Sequence, residues 1–266
     1  EVESMKIVVC MKQVPAGTKV DIDPETGAMK RLSGETRTNP YDLFALEAAL
    51  QLREKVGGSV TVLTMGPPQA EEMMRDAYTM GADDAVILSD RKFAGADVLA
   101  TSYALSQGIT AIGDIDLIIC GKQTTDGDTA QVGPAIAEHL GIPHAAWVSE
   151  IVDADSESIQ VKQDLVSVSQ TSKIPYPCLI TVDKDMCVPR LPSYLLQKQS
   201  KDRPVKIMTF EDMADQNLSK YGLVGSPTAV EKMFAPPEVE KQVYFDGDAK
   251  EKTKQLFDVL VNKKVI

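Results

Sequence analysis

The sequence predicts an α/β fold in which a parallel sheet is flanked by helices, with a small β-hairpin and an extended C-terminal arm. Short apolar segments alternate with amphipathic, helix-like segments over the first part of the chain. This alternation is typical of right-handed βαβ units. The periodicity fades after about residue 190. We therefore expect an α/β domain over residues 1–200 and an arm with a final helix over residues 201–266.

Five short segments rich in Val, Ile and Leu are the predicted strands. They are apolar on both faces, as strands are when helices cover the two sides of a parallel sheet. Ligands bind such sheets beyond the carboxyl ends of the strands, so we expect the turns after residues 11, 65 and 120 to lie on one rim. The predicted strands are 5–11, 59–65, 84–89, 116–120 and 178–183.

The segments between the strands carry helix signals. The first has Asn39 as a plausible N-cap, Pro40 at the first helical position and Asp42 near the positive end of the helix dipole, and Gly57 ends it. Two further segments have the spacing of helices. These predicted helices cover 67–81 and 96–109.

The second half of the chain has a different pattern. Residues 150–165 alternate in polarity around a polar turn, which predicts a β-hairpin. Residues 221–248 contain several prolines and no clear core stripe, and a last helix has Leu256, Val259 and Leu260 on one side. A long irregular stretch inside a compact domain would be unusual. We expect an arm that lies on another subunit, because its apolar residues would otherwise be exposed; the alternative is disorder.

Composition and charge exclude several classes of function. The 266 residues carry a formal net charge of −11, without the basic patch that nucleic acid or an anionic membrane would need. No apolar run approaches the length of a membrane helix. The four cysteines are scattered and form no CxxC pair, which predicts neither a disulfide framework nor a metal site. We expect a cytoplasmic protein without nucleic-acid binding, membrane insertion or a hydrolase triad.

The loop "GKQTTDGDTAQVGPA", residues 121–135, lies between a predicted strand and a predicted helix. Unpaired amides and the dipole at the start of a helix attract anions. Gly121 and Gly127 would let the chain approach a ligand closely, and three threonines add hydroxyl donors. The loop is neither a Walker sequence nor GxGxxG. Its pattern is compatible with a nucleotide site or with a well-capped surface loop. The threonines are Thr124, Thr125 and Thr129.

The aspartates of this loop need a role other than phosphate binding, since a carboxylate repels a phosphate. A ribose hydroxyl contact suits Asp126, and a helix cap suits Asp128, with Gln131 three residues later. If Asp128 caps the helix, Pro134 lies past the first turn and kinks it. A later start, near Ala130, would place the proline within the first turn, and the sequence leaves both open.

Four segments together resemble the β subunit of electron transfer flavoproteins: "VVCMKQVP", "NPYDLFALEAALQLRE", "TMGPPQAEEMMRDAYTMGADDAV" and "DLIICGKQTTDGDTAQVGPAIAEHLGIP". The resemblance runs from Met5 to about Arg190. It implies a heterodimer with an α subunit, which the C-terminal arm would wrap. The positions that match the family's nucleotide contacts are Cys10, through its backbone, Asn39, Asp42, Met65, Gly121, Gln123, Thr124, Asp126, Gly127, Asp128, Thr129, Ala130, Gln131 and Val132.

The family has two branches. In one, this subunit holds AMP as a structural ligand and the only FAD lies in the α subunit. In the electron-bifurcating branch it binds a second FAD that accepts hydride from NADH and splits the two electrons. One electron reduces ferredoxin or flavodoxin, and the other passes through the α-subunit FAD to a partner dehydrogenase. Three segments resemble the bifurcating branch better: residues 14–42, "DGDTAQVGP" and "GLVGSPTAVEKMFAPP".

The resemblance also implies two further sets of residues. Val14, Pro15 and Arg31 match positions on the NADH and isoalloxazine side, and no acid–base residue is expected because the flavin performs the redox chemistry. Tyr194 and Leu195 match the family's leucine anchor for the partner, an acyl-CoA dehydrogenase or reductase or a lactate dehydrogenase. The surrounding "PRLPSYLLQKQSKDRP" is less basic than is common in the family.

Overall fold

The computed structural model describes residues 4–16, 21–22, 29–30, 36–165, 167–231 and 243–266. These residues form two compact units, residues 1–21 with 31–231 and residues 22–30 with 232–266. The first unit holds a nine-stranded sheet. Its strands are β1 (Lys6–Cys10), β2 (Ser59–Met65), β3 (Asp84–Leu88), β4 (Leu117–Gly121), β5 (His144–Ala154), β6 (Ser158–Leu165), β7 (Val168–Pro175), β8 (Cys178–Val182) and β9 (Lys206–Met208).

The strands lie in the order β7-β6-β5-β8-β4-β1-β2-β3-β9. In the part of the sheet ordered β5-β8-β4-β1-β2-β3-β9, every neighbouring pair is parallel. Strand β6 is antiparallel to both of its neighbours, β5 and β7. Two short two-stranded ribbons are also present, Gln13–Pro15 with Thr36–Thr38 and Asp21–Ile22 with Met29–Lys30. The predicted parallel α/β architecture is confirmed, and each of the five predicted strands is present.

Alternation along the central strands divides the core into two layers. In β1, Ile7 and Val9 point into one layer and Val8 and Cys10 into the other, and all four are buried. Both faces are therefore covered, which is why these strands are apolar throughout. Side chains of the first two helices fill one layer and those of the next two fill the other.

Among the described residues, the first unit has five α-helices and the second has one. Pro40 and Gly57 bound the first as predicted, and Gly81 and Gly141 end the second and fourth. Four short 3₁₀ turns lie between the larger elements, at Pro68–Ala70, Arg91–Phe93, Phe210–Asp212 and Leu218–Lys220. The helices are α1 (Pro40–Val56), α2 (Glu71–Met80), α3 (Val98–Ile112), α4 (Val132–Leu140), α5 (Tyr194–Gln199) and α6 (Ala249–Asn262).

The order in which strands are added to the sheet changes direction at β1. It leaves β1 through α1 to reach β2 on one side, and later returns through α3 to β4 on the other side of β1. Loops that diverge in this way open a crevice at the carboxyl ends of the two strands. The crevice between β1 and β4 is therefore the position at which this sheet is expected to bind a ligand.

The structure adds two strands that the sequence pattern does not show. The predicted hairpin is β5 and β6, and β7 extends it to a three-stranded antiparallel ribbon. At the opposite edge β9 pairs with β3, and the following residues bury Phe210 and Tyr221 against Phe93. The compact unit thus continues to residue 231, beyond the boundary expected at 200, because this segment completes the sheet edge and its core.

Within the second unit, α6 begins with a capping box. The carboxylate of Asp248 accepts bonds from the Lys250 and Glu251 amides, while Glu251 accepts from the Asp248 amide. Leu256 and Phe257 are about half exposed in this helix. None of the helices in the described ranges is both long and apolar enough to cross a bilayer. That an arm over residues 201–266 wraps an α subunit stays a prediction.

Candidate functional site

The crevice is bordered by the ends of β1 and β4 and by the start of α1. Cys10 and Cys120 are paired neighbours at the ends of the two strands, so the loops that follow begin side by side. Met65 ends the adjacent strand β2 and is partly buried. Three of the predicted nucleotide-contact segments therefore meet at one edge of the sheet, because parallel strands end on the same rim.

Asp42 joins the three sides of the crevice. Its carboxylate, 4% exposed, accepts a 2.7 Å bond from the Lys12 amide after β1 and a bond from the Gly121 amide at the end of β4. Burial raises the pKa of Asp42 to about 7, although these bonds and one from the Asn39 side chain favour the ionised form. The enclosed carboxylate thus ties the loops after β1 and β4 to the first turn of α1.

Asn39, at the start of α1, makes a second set of hydrogen bonds to the β4–α4 loop. It occupies the N-cap position of α1, as predicted, but its side chain makes no capping bond. Instead its amide nitrogen donates to the carbonyl of Gln123 at 2.9 Å, and its oxygen accepts from the Thr125 amide at 3.3 Å. Asn39 is fully buried, so its side chain fixes the course of the β4–α4 loop.

The two aspartates of the β4–α4 loop each have a partner. Lys12 donates to both carboxylate oxygens of Asp126, at 2.8 and 2.7 Å, across the crevice from the β1 side. Burial would raise the pKa of Asp126, but bonds from Lys12 and Thr124 outweigh it and lower the pKa. Asp128 accepts a bond from the Gln123 side chain. The Lys12 ammonium offsets the charge of Asp126, whereas the neutral amide of Gln123 leaves the charge of Asp128 in place.

The structure decides between the two possible starts of α4. The helix begins at Val132, with Gln131 at the N-cap position and no capping side chain. Pro134 therefore lies within the first turn, where its missing N–H is tolerated. The interpretation of Asp128 as a helix cap, with Gln131 in a capping box, is wrong. The carboxylate bonds within the loop because the helix starts four residues later.

The end of the loop is suited to present amides to an anion. Asp128 and Ala130 have φ angles of 53° and 54°, in the left-handed region that such residues rarely adopt. Strain of this kind is often found at ligand sites. The first amides of α4, at Val132 and Gly133, have no acceptor within the helix. An open helix start beside a turned loop is an arrangement that can bind an anion.

Other predicted contact residues lie in the β4–α4 loop or at the ends of β1 and β4. Thr124 accepts a 3.4 Å bond from the Gly127 amide, and Thr129 and Gln131 are exposed. The Cys10 and Cys120 thiols are buried side by side, and their mutual hydrogen bond, with burial, raises the pKa of Cys120. The thiol of Cys10 is thus turned into the protein, and that the Cys10 backbone contacts a nucleotide stays a prediction.

The residues predicted for the NADH and isoalloxazine side have different environments. Val14 and Pro15 lie in the short ribbon that follows β1. Val14 is fully buried and packs in the interior, whereas Pro15 is exposed. Arg31 lies outside the described residues. Whether this side meets a second ligand stays a prediction.

The predicted docking residues, Tyr194 and Leu195, are the first two residues of α5, and their exposed fractions are 70% and 63%. The chain on either side of them is held firmly. Arg190 binds the carboxylates of both Glu47 and Glu54. Arg203 donates to the carbonyls of Ala82 and Asp83, each at 3.1 Å. The two apolar side chains are thus presented to solvent on a fixed support.

Sequence reasoning did not single out Lys12, although it lies in the turn after residue 11 that was expected on the rim. It also missed the contact between Lys122 and Trp147, in which the ammonium lies 4.5 Å from the ring centroid. Trp147 has a φ of 60°, unusual for a bulky residue. Position in the predicted topology was the available signal for Lys12; nothing local marked Trp147.

Comparison with known proteins identifies the family of this chain. Residues 26–214 match the family described as "Electron transfer flavoprotein domain". "Protein FixA" of Azorhizobium caulinodans is 46% identical over 87% of this chain and 85% of its own length. "Electron transfer flavoprotein subunit beta" of Thermoanaerobacterium thermosaccharolyticum is 42% identical over 98% of this chain and 100% of its own. "Caffeyl-CoA reductase-Etf complex subunit CarD" of Acetobacterium woodii is 43% identical over 88% of each chain. The chain therefore belongs to the electron transfer flavoprotein family, among the β subunits.

Proposed function

We propose that this chain is the β subunit of an electron-bifurcating flavoprotein and that its β1–β4 crevice binds FAD. The observation that carries the proposal is the crevice at the switch point, where buried Asn39 and Asp42 hold the loops around the open start of α4. Amides at that start suit a diphosphate. The exposed hydroxyls of Thr125 and Thr129 are available to the ribose and phosphates.

The residues of the crevice would bind and orient the cofactor, and they supply no acid–base group for the reaction. When bound, FAD would supply the redox chemistry, accepting hydride from NADH and delivering one electron to ferredoxin or flavodoxin and one to the FAD of the α subunit. Gly127 leaves the ligand side of the loop open, since the nearest atom to an added Cβ is Thr124 Oγ1 at 3.4 Å. The loop can therefore approach a phosphate closely.

The decisive experiment is a cofactor count on the purified complex of this chain with its α subunit. We expect about two flavins per αβ unit, with one lost when the β site is disrupted. The visible spectrum and the flavin released by denaturation give the count. One flavin together with one AMP would contradict bifurcation and support the alternative, a structural AMP in this subunit.

We further propose that α5 docks the partner dehydrogenase and that α6 contributes to pairing with the α subunit. The relative from Acetobacterium woodii is named as a subunit of a caffeyl-CoA reductase complex, which supports an acyl-CoA dehydrogenase or reductase as the partner over a lactate dehydrogenase. The exposed Tyr194 and Leu195 resemble interface hot spots, which are apolar or aromatic anchors on a rigid support.

Replacing both docking residues, Tyr194→Ala with Leu195→Ala, is expected to slow electron transfer to the dehydrogenase about tenfold or more, since each anchor contributes on the order of 1–2 kcal/mol. Flavin content and thermal stability should not change, because both side chains are exposed. Leu223→Ala is the matched control, as Leu223 is 65% exposed on a different segment. Equal rates for the double variant and the control would exclude α5 as the docking surface.

A further inference from the structure

The crevice is short of positive charge for the ligand proposed above. Asp126 and Asp128 border it, and a diphosphate would add further negative charge. Two lysines of the β1–β4 edge lie nearby, Lys12 and Lys122. A phosphate site without a cation depends on amides alone, and a charged donor forms hydrogen bonds that are roughly twice as strong. The two lysines differ in how far the protein encloses their side chains.

Lys122 is already committed to the protein. Its ammonium lies 2.9 Å from the carboxylate of Asp183 and over the ring of Trp147, and its side chain is only 21% exposed. To reach a ligand, this ammonium would have to give up both of these contacts. Lys122 instead joins the edge of β4 to the neighbouring strands, which gives it a structural role.

Lys12 is also ion-paired, but its side chain is more exposed than that of Lys122. Its backbone is fixed, because its amide donates to buried Asp42, while its side chain is 46% exposed. The ammonium donates to both oxygens of Asp126, whose side chain is 32% exposed. An ammonium has three donors, so one remains for another acceptor. Asp126 thus holds the Lys12 ammonium at the β4–α4 loop.

We propose that Lys12 is the residue through which the crevice recognises the phosphate charge of an adenine nucleotide, with Asp126 positioning its ammonium. This inference rests on the nucleotide site proposed above and adds a specificity-determining residue to it. The contribution of Lys12 should grow with the number of phosphates, so that the site prefers diphosphate-bearing nucleotides to the nucleoside. Without Lys12, uncompensated Asp126 would repel each added phosphate.

The test is a titration of the full chain, in complex with its α subunit and stripped of bound nucleotide, with adenosine, AMP and ADP. For Lys12→Gln we expect a loss of affinity for ADP of roughly ten- to a hundredfold, in the range of a charged hydrogen bond. The loss for AMP should be smaller, and adenosine should bind as to the wild type. Lys12→Arg retains the charge and should restore most of the affinity for ADP.

Lys55→Gln is the matched control, because Lys55 makes an exposed ion pair with Asp153 at 2.9 Å and its loss changes the net charge equally. It should leave all three affinities unchanged. An equal loss for adenosine, AMP and ADP in Lys12→Gln would overturn the role of Lys12, since it would indicate a structural effect alone. A wild-type complex that binds none of the three would overturn the proposed nucleotide site itself, and this inference with it.

Discussion

Replacement of Gly121 by alanine is expected to destabilise the first unit and to abolish nucleotide retention together. A Cβ at this position would lie 2.3 Å from Oδ1 of Asp42 and 2.8 Å from both the carbonyl carbon and the Cβ of Tyr41. Two of these three atoms cannot rotate away, so either the first turn of α1 or the end of β4 must move. Overpacking of this kind typically destabilises a protein by about 1–3 kcal/mol.

The displacement would also break the contacts that shape the crevice. Asp42 accepts from the amides of both Lys12 and Gly121, so a shift of α1 separates the β1 and β4 loops. A buried carboxylate that loses a donor is destabilised further, by on the order of 1–3 kcal/mol. We therefore expect the free energy of unfolding, measured with urea, to fall by about 3 kcal/mol, the upper end of both ranges. Bound nucleotide should be lost on gel filtration.

Gly127→Ala is the control for this prediction, since it makes the same chemical change in the same loop. The atom nearest to its added Cβ, Thr124 Oγ1 at 3.4 Å, needs to move by only a few tenths of an ångström. Its free energy of unfolding should stay within about 0.5 kcal/mol of the wild type. If Gly121→Ala proved as stable as Gly127→Ala, the close packing of α1 on β4 would be refuted.

The two glycines show how far the sequence could predict the site. Sequence reasoning assigned both to close approach of a ligand. The structure leaves the space beside Gly127 nearly open, whereas Gly121 is required by the protein itself, because the first turn of α1 packs on it. A glycine in a loop signals that something approaches closely, but the sequence does not identify what approaches. That depends on a helix some 80 residues earlier in the chain.

The fold was easier to predict from the sequence than the site, for a related reason. Strands such as β1 and β4 are apolar on both faces, a local signal of burial between helices. By contrast β7 carries exposed polar residues, and β9 has three residues that are held by pairing with distant β3. Neither has a local pattern that could predict it. Likewise Asn39 was correctly placed at the N-cap, but its bonds to Gln123 and Thr125 depend on tertiary structure.

Asp42→Asn is expected to change how the stability of the protein depends on pH. Burial raises the pKa of Asp42 from 3.8 to about 7, so the folded state holds a proton between these values that the unfolded state releases. A pKa raised by folding stabilises the protein below the unfolded value, and this stabilisation is lost as the pH rises through the folded value. The wild type should therefore lose stability between about pH 4 and pH 7 from this group.

Asparagine has nearly the same shape and does not ionise, so the variant should lack this loss. Relative to the wild type, Asp42→Asn should gain about 2–3 kcal/mol in the free energy of unfolding between pH 5 and pH 8. A constant difference from the altered hydrogen bonds at Lys12 and Gly121 adds to both ends of the range and leaves the slope unaffected. Urea unfolding across this pH range measures the slope directly.

Asp128→Asn provides the control, because it removes one negative charge from an exposed position on the same rim. Its stability should follow the wild-type pH dependence. Parallel curves for Asp42→Asn and the wild type would show that Asp42 keeps its charge in the folded protein. The bonds from the Lys12 and Gly121 amides and the Asn39 side chain would then outweigh burial, and the junction of α1, β1 and β4 would be held by a carboxylate at every pH in the range.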